Sequence, residues 1–148
     1  MKSVVIIAAL MVAPIVALAA EGSSDVTYVS ADTVMAAFLK GGTIARGPDF
    51  VVQTSRRVKD GTPEVHSLDT EIMYVVEGSA TYVSGGTLIG AKEGRNGNSG
   101  GTGIEGGETR HIQKGDVVVI PRGTPHWFKE VPGPINYYVV KVHAPDNK

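Results

Sequence analysis

The sequence contains no cysteine, which excludes disulfide bonds, thiolate nucleophiles and cysteine-ligated zinc or iron–sulfur sites. It also lacks a basic surplus, since 14 Lys and Arg stand against 15 Asp and Glu, for a formal net charge of −1. This balance argues against nucleic acid as a partner, because nucleic-acid-binding domains normally carry excess positive charge. With 148 residues and 42% hydrophobic side chains, the chain is long enough for one domain with a substantial core.

The N-terminal segment has the pattern of a targeting signal. Lys2 is followed by an uncharged run from Val4 to Ala20 that ends in the small residues Ala17-Leu18-Ala19-Ala20. This pattern predicts a cleaved secretory signal peptide over residues 1–20 and a single barrel domain over residues 21–148. The alternative is an uncleaved membrane anchor, although a run of about 17 residues is at the lower limit for a span. We therefore expect a periplasmic or secreted protein with no stable membrane anchor after cleavage.

The rest of the chain reads as short strands separated by turns. A helical stretch opens at Ser30-Ala31-Asp32 and ends at Gly41-Gly42, with an apolar face that we expect to pack on the outside of a sheet: Val34, Met35, Ala37, Phe38 and Leu39. Strands are predicted at Ile72–Val76 and Ala80–Val83, as a hairpin around Glu77-Gly78. In Ser84–Gly107, ten of the 24 residues are glycine, which predicts a mobile loop or an open flap. The pattern predicts an all-β antiparallel sandwich or barrel with one short helix.

Histidine and carboxylate side chains mark the first candidate site. Glu64 and His66 are two residues apart on a predicted strand and therefore point to the same face. Glu71 lies an odd number of residues further on, so a bend through Ser67–Thr70, with Asp69-Thr70 as turn formers, is needed to bring it to that face. Imidazole and carboxylate groups that converge in a cavity suit a divalent metal such as iron, manganese, zinc or nickel.

A second candidate cluster combines a strand, a turn and a histidine. Gly115 precedes a strongly apolar strand, Val117–Ile120, and the turn that follows contains Pro121 and Gly123. His126 then begins the returning strand, and the turn fixes the direction of its side chain. Two interpretations remain open from the residues alone: His126 points into a cavity, or a structural turn is followed by a surface histidine.

These two segments resemble the two signature motifs of the cupin superfamily, whose members are small jelly-roll barrels, also called double-stranded β-helices. The second motif, G(X)5PXG(X)2H(X)3N, matches at its first four fixed positions, and Glu130 stands at the final asparagine position. The first motif, G(X)5HXH(X)3–4E(X)6G, matches at His66, Glu71 and Gly78. In it, Glu64 replaces the first histidine and Val58 replaces the leading glycine.

The resemblance implies a metal site. In typical cupins the motif residues bind a divalent transition metal, which here makes His66, Glu71 and His126 the expected ligands. Glu64 lies at the fourth ligand position, where its carboxylate could bind the metal, point away or hold a water molecule. The alternative is a metal-free barrel whose histidines meet only hydrogen-bond partners.

The resemblance also implies a function. The first hypothesis is an exported metal-binding enzyme acting on a small organic molecule, with Glu71 or Glu64 as general base. We favour a dioxygenase over an isomerase, lyase or decarboxylase, because imidazole–carboxylate sets suit non-haem iron. The second hypothesis is a non-catalytic periplasmic cupin that binds or senses a small molecule, and a third is a structural or storage barrel. Strand edges without obvious protection are compatible with a homodimer.

Other residues are expected around the cavity or on the surface. Trp127 is expected to face away from His126, and Phe128 to share the inward face with it. Arg56 and Arg57 are adjacent, so one of them can point inward to a substrate carboxylate, or both lie along a solvated edge. Four side chains are candidates for cavity walls: Met73, Val75, Tyr82 and Tyr137. His111 and His143 are expected at the surface.

Overall fold

The computed structural model describes residues 26–143, so the predicted signal peptide lies outside the described residues. This range forms one helix and thirteen strands. The first elements are α1 (Ala31–Lys40), β1 (Gly42–Arg46), β2 (Phe50–Arg57), β3 (Glu64–His66), β4 (Asp69–Glu77) and β5 (Ser79–Ser84). Four short strands follow: β6 (Thr87–Ile89), β7 (Lys92–Glu93), β8 (Asn98–Gly100) and β9 (Gly103–Glu105). The last are β10 (Glu108–Gln113), β11 (Val117–Ile120), β12 (His126–Glu130) and β13 (Ile135–His143).

The strands form two main antiparallel sheets. The five-stranded sheet has the order β1-β2-β13-β4-β11, and the six-stranded sheet has the order β10-β5-β12-β3-β8-β7. The short strands β6 and β9 pair with each other. The chain crosses between the sheets repeatedly, since β2, β4, β11 and β13 lie in one sheet and β3, β5, β10 and β12 in the other. The all-β jelly-roll prediction, with one short helix near the N-terminus, is therefore confirmed.

The predicted hairpin around Gly78 is wrong. Strands β4 and β5 follow each other in sequence but lie in different sheets, so this turn carries the chain from one sheet to the other. Gly78 has a φ of +83°, and a Cβ built on it would lie 2.2 Å from the carbonyl oxygen of Pro134. A glycine is required here by both the left-handed backbone and the close approach of the segment before β13.

The core lies between the facing sides of the two sheets. The five-stranded sheet contributes Met73, Val75, Ile120, Ile135 and Tyr137, and the six-stranded sheet contributes Ala80, Tyr82, Ile112 and Phe128, with Val131 beside them. The alternation of buried and exposed residues along β4 shows which side of the strand faces the core. Met73 and Val75 are 2% and 0% exposed, whereas Ile72 and Tyr74, which alternate with them, face outward at 40% and 45%. Burial of these apolar side chains is the main favourable contribution to folding.

Helix α1 packs on the outer side of the five-stranded sheet, as predicted. Phe38 is the buried member of its apolar face, and its ring lies edge-on to Tyr138 with the centroids 5.1 Å apart. Tyr138 faces outward, because its neighbour Tyr137 on β13 lines the interior. The predicted five-residue face is wrong in its width, since Met35 and Leu39 are 64% and 77% exposed. Within residues 26–143, no helix has the length and apolarity needed to cross a bilayer.

The glycine-rich segment 84–107 differs from the predicted open flap, because strands β6 to β9 fall within it. Strand β8 pairs with β3, matching Glu64 to Gly100 and His66 to Asn98. The segment therefore extends the six-stranded sheet next to the strand that carries the first motif. Glycine without a side chain allows several tight turns in succession here, and φ is positive at Gly90 and Gly97, among others.

Candidate metal centre

Strand pairing brings the two predicted clusters together. Glu64 and His66 lie on β3, and His126 is the first residue of β12. Strand β12 pairs with β3 so that His126 stands directly opposite Glu64. The turn before β12 is anchored as well, because the amide of Gly123 donates a hydrogen bond to the carbonyl oxygen of His66 at 2.7 Å. The register therefore fixes the direction of His126 and resolves the two interpretations in favour of an inward-facing histidine, which is 3% exposed.

Glu71 reaches the same point from the opposite sheet. The bend is at Ser67-Leu68, and Asp69 and Thr70 already belong to β4, so the prediction of Asp69-Thr70 as turn residues is wrong. From Asp69 onward, odd-numbered positions of β4 such as Glu71 face the interior. The bend therefore achieves the change of face that the sequence spacing requires.

The four predicted ligand residues lie within contact distance of one another. Glu71 Oε1 is 3.3 Å from His66 Nε2, and Glu71 Oε2 is 3.4 Å from His126 Nε2. Glu64 lies further out, with its oxygens 3.9 Å from His66 Nε2 and 3.8 Å from His126 Nε2. The side chains of His66, His126 and Glu71 are at most 10% exposed, whereas that of Glu64 is 40% exposed. Glu64 therefore lies at the solvent side of the cluster and Glu71 at its base.

Hydrogen bonds to the Nδ1 atoms of the two imidazoles select the tautomer of each ring. His126 Nδ1 is 3.0 Å from the backbone carbonyl of Thr124, and because a carbonyl only accepts, Nδ1 carries the proton. His66 Nδ1 is 2.7 Å from Asn98 Oδ1 on β8, which accepts in the same way. In the neutral tautomer that this selects, Nε2 carries the free lone pair, and both Nε2 atoms are directed at the cluster. Buttressing of this kind is the usual arrangement behind metal-binding histidines.

Lys141 is a member of the cluster that the sequence reasoning missed. It lies on β13 in register with Glu71, and its Nζ is 2.6 Å from Glu71 Oε1 and 3.4 Å from His66 Nε2. Its side chain is 21% exposed, so this ammonium is largely withdrawn from water. Strand parity could have found it: Tyr137, Val139 and Lys141 alternate on the inward side of β13.

A small cavity of about 160 Å³ opens in front of these residues. Met73, Tyr82 and Tyr137 line it as candidate walls, whereas Val75 is fully buried behind them. The Tyr82 hydroxyl is buried and contacts no hydrogen-bond partner among residues 26–143. Burial, followed by the negative charges of Glu71 and Glu64, raises the pKa of Tyr82 far above its ordinary value. Tyr82 therefore stays a neutral phenol that can donate a hydrogen bond into the cavity.

The remaining predicted positions lie around the cavity. Phe128 lines it beside His126, and Trp127 faces the other way, donating from Nε1 to the carbonyl of Gly61 at 2.8 Å. Arg57 stacks over the Phe128 ring at 4.7 Å, and Arg56 is exposed. His111 is exposed on β10, as expected. His143 is partly exposed and pairs with Asp69 at the strand end.

The donor set fits a divalent metal ion. One atom each from Glu64, His66 and His126 can be chosen within 4.8 Å of one another. His126 Nε2 is buried and has no hydrogen-bond partner in the part of the chain that the structure describes, which is the expected state of a ligand nitrogen. Two imidazole nitrogens with one or two carboxylates suit first-row transition metals. Glu71 can join them through Oε2, because Lys141 lies against Oε1.

Comparison with known proteins identifies the family. Residues 61–148, more than half of the chain, match the family described as Cupin. The fold resembles that of KdgF from Halomonas sp., with a TM-score of 0.51 and 22% identity over 72% of this chain and 82% of that one. It also resembles BH2720 from Bacillus halodurans, with a TM-score of 0.57 and 13% identity over 82% and 85% of the two chains. No curated protein matches the sequence significantly. On the motif positions, the jelly-roll fold and this match, the chain belongs to the cupin family.

Proposed function

We propose that this cupin is a metal-dependent enzyme that acts on a small organic molecule. The observation that carries the proposal is the pair of buried imidazoles of His66 and His126, each fixed by an acceptor at Nδ1 and each with Nε2 beside Glu71. A carboxylate facing two such nitrogens in a cavity is a metal-binding arrangement. Among the possible reactions we favour dioxygenation, because this donor type suits non-haem iron.

His66, His126 and Glu71 would hold the ion, with Glu64 at the solvent side of the cluster. A divalent transition metal such as iron, manganese, zinc or nickel would supply Lewis acidity there, and iron or manganese also reactivity toward O₂. The two carboxylates divide the remaining work by their environment. Glu71 is buried and ion-paired, so we assign it to binding, whereas Glu64 is partly exposed and can exchange a proton with solvent, so we assign it the role of general base.

Other residues of the cavity would bind and orient the substrate. The neutral Tyr82 hydroxyl can donate to a substrate oxygen, since no other residue of the described range uses it. Phe128 and Tyr137 stack with their centroids 5.1 Å apart and form an apolar wall. A volume of about 160 Å³ admits a group of roughly benzene size and little bulk water.

Metal analysis of the purified protein tests this proposal. The chain is purified without chelating resin, and bound first-row metals are quantified beside the variants His66→Ala and His126→Ala. His111→Ala is the matched control, because this histidine is exposed and outside the cluster. We expect about one metal per chain in the wild type and the control, and loss of the metal in both cluster variants. A wild type that stays empty after reconstitution with iron, manganese, zinc and nickel salts contradicts the proposal.

A non-catalytic binding cupin is the second candidate, and Lys141 favours it. Its ammonium lies against Glu71 and His66, so the cluster already contains a cation that offsets the buried carboxylate charge. In such a protein the Lys141 ammonium would take the place of the metal ion, and a small molecule would bind beside it. Ligand-dependent stabilisation of a metal-free protein, without any product, would favour this function over the enzyme.

We also propose export and self-association. Export is supported by the signal-like segment 1–20, and N-terminal sequencing of the protein recovered outside the cytoplasm tests it. A homodimer is supported by the outward side of β4 and the edge strand β11, where Ile72, Tyr74, Val117 and Val119 are 40–61% exposed and adjacent in register. Val119→Lys should convert the dimer to a monomer in light scattering, and a wild type that is already monomeric contradicts this proposal.

A further inference from the structure

A second cavity lies at the open edge of β2, next to the candidate metal centre. Strand β1 begins with Gly42 opposite Thr54, so the part of β2 after Thr54 has no partner strand on that side. The end of α1, the free part of β2 and the residues after it enclose a groove of about 580 Å³. The groove therefore exists because β1 pairs with β2 only as far as Thr54 and leaves the last residues of β2 without a neighbouring strand.

The groove is strongly basic. Four of its eleven lining residues are cationic and none is acidic, and we name it the basic groove after them: Lys40, Arg56, Arg57 and Lys59. This concentration stands out in a chain whose formal net charge is −1. Arg57 extends inward over Phe128 and Arg56 outward to Asn136, so positive charges border the groove from both sides of β2 and create a local potential that attracts anions.

The cations of the basic groove are also free of acidic partners. Within residues 26–143, none of the four forms a salt bridge. Two neighbouring carboxylates make other contacts: Asp60, which follows Lys59, accepts the amide of Val131 at 2.7 Å, and Glu77 accepts from Asn136, whose side-chain oxygen accepts from Arg56 at 3.3 Å. Arg57 packs on Phe128, and its Nε is buried without a hydrogen-bond partner in this range. The positive charge is therefore available to a ligand.

The basic groove adjoins the metal cavity. Gln53, Ser55 and Tyr137 line both spaces, and Arg57 touches the Phe128 ring that forms a wall of the cavity. The inner space of about 160 Å³ accommodates a small group, whereas the groove has room for a longer one. A ligand that spans both has a small reacting end and a longer part that runs past the four cations.

We propose that the basic groove binds the oxyanion end, carboxylate or phosphate, of an elongated small molecule whose other end enters the metal cavity. Guanidinium groups pair with planar or tetrahedral oxyanions through two hydrogen bonds, and the lysines add charge. The reacting role of the inner end rests on the proposed metal-dependent function. Anion binding by the groove itself does not depend on the metal.

Calorimetric titration with two simple probes, inorganic phosphate and glutarate, tests the inference at constant ionic strength. The groove variant combines Lys40→Gln, Arg56→Gln and Lys59→Gln, all at exposed positions, and leaves Arg57 in place to preserve its contact with Phe128. We expect saturable binding of at least one probe by the wild type and a loss of affinity of about tenfold or more in the groove variant. The probe that binds more tightly identifies the oxyanion as phosphate or carboxylate.

A matched control separates site binding from general charge. It carries the same change of three charges at exposed positions that line neither cavity: Lys92→Gln, Arg95→Gln and Lys114→Gln. We expect its affinity to stay within about twofold of the wild type. No saturable binding of either probe up to about 10 mM, or equal weakening in both triple variants, overturns the inference. Metal content is measured on the same proteins, so a metal-free wild type that still binds anions at the groove refutes the proposed function alone.

Discussion

The ion pair between Lys141 and Glu71 gives the sharpest prediction from this structure. Its atoms are 2.6 Å apart, with side chains that are 21% and 9% exposed. At an effective dielectric constant of about 20, the Coulomb attraction at this distance is roughly 6 kcal/mol, and desolvation of both groups offsets most of it. Lys141→Met removes the attraction and leaves Glu71 without a lysine ammonium beside it.

We expect Lys141→Met to lower the free energy of unfolding of the metal-free protein by about 2–3 kcal/mol. This is below the range of about 3–5 kcal/mol for one partner of a fully buried pair, because the lysine side chain is 21% exposed. The double variant Glu71→Gln/Lys141→Met removes both charges and should recover part of the loss. The two single variants and the double variant together should give a coupling energy of about 1.5 kcal/mol or more.

The assay is urea unfolding of protein dialysed against a chelator, with Lys114→Met as the control for loss of an exposed lysine. Metal titration of the same variants gives an independent readout. In the wild type the ammonium lies against Glu71 Oε1 and His66 Nε2 and opposes a second cation there, so Lys141→Met should bind zinc about 10-fold or more tighter, by the conversion of about 1.4 kcal/mol per factor of ten. A coupling energy near zero refutes the stabilising pair, and unchanged zinc affinity refutes the competition between lysine and metal.

Three further predictions concern the cavity, the buttressed histidine and the inter-sheet turn. Because burial raises the pKa of Tyr82, the folded state keeps a proton that the unfolded state loses above pH 10, so stability falls there by about 1.4 kcal/mol per pH unit. Tyr82→Phe should remove this component in urea unfolding between about pH 8 and pH 11, a range that brackets the ordinary pKa of tyrosine, and an unchanged alkaline slope contradicts it. Asn98→Ala should weaken zinc binding about tenfold in a calorimetric titration by removing the acceptor behind His66, whereas Asn98→Asp, which keeps the acceptor, should bind normally. Gly78→Ala should destabilise by at least about 3 kcal/mol through backbone strain and its clash with a carbonyl, whereas Gly85→Ala, left-handed but in open space, should cost about 1 kcal/mol in the same unfolding assay.

The sequence was sufficient for the fold and for the composition of the candidate site. Short alternating strands between turn residues predict a sandwich or barrel, and the motif spacing selects Glu64, His66, Glu71 and His126 as the residues that meet. The prediction succeeds because the alternation of side chains along a strand is a local property: residues i and i+2 share a side of the sheet. The position of Glu71 shows the limit of the rule, since it required a bend that was predicted over Ser67–Thr70 and is confined to Ser67-Leu68.

Sheet membership was decided by tertiary structure. The sequence around Gly78 has the local pattern of a hairpin, yet β4 and β5 pair with strands that are distant in sequence. Turn residues indicate that the chain changes direction, but they do not determine which strand pairs with the strand that follows the turn. The glycine-rich segment was misjudged for the same reason, because pairing of β8 with β3 supplies the hydrogen bonds that its composition does not predict.

By itself, then, the sequence determined the class of fold, the family and the four residues of the candidate centre, because motif spacing and strand alternation are properties of neighbouring positions. Only the tertiary structure placed Lys141 against Glu71, Asn98 behind His66 and four cations around one groove beside the cavity. These contacts join positions far apart in the chain, with Lys141 and Glu71 in register across two strands and Asn98 and His66 across two others. These interactions act over a few ångströms in space, and a local sequence pattern does not show which remote residues come that close together.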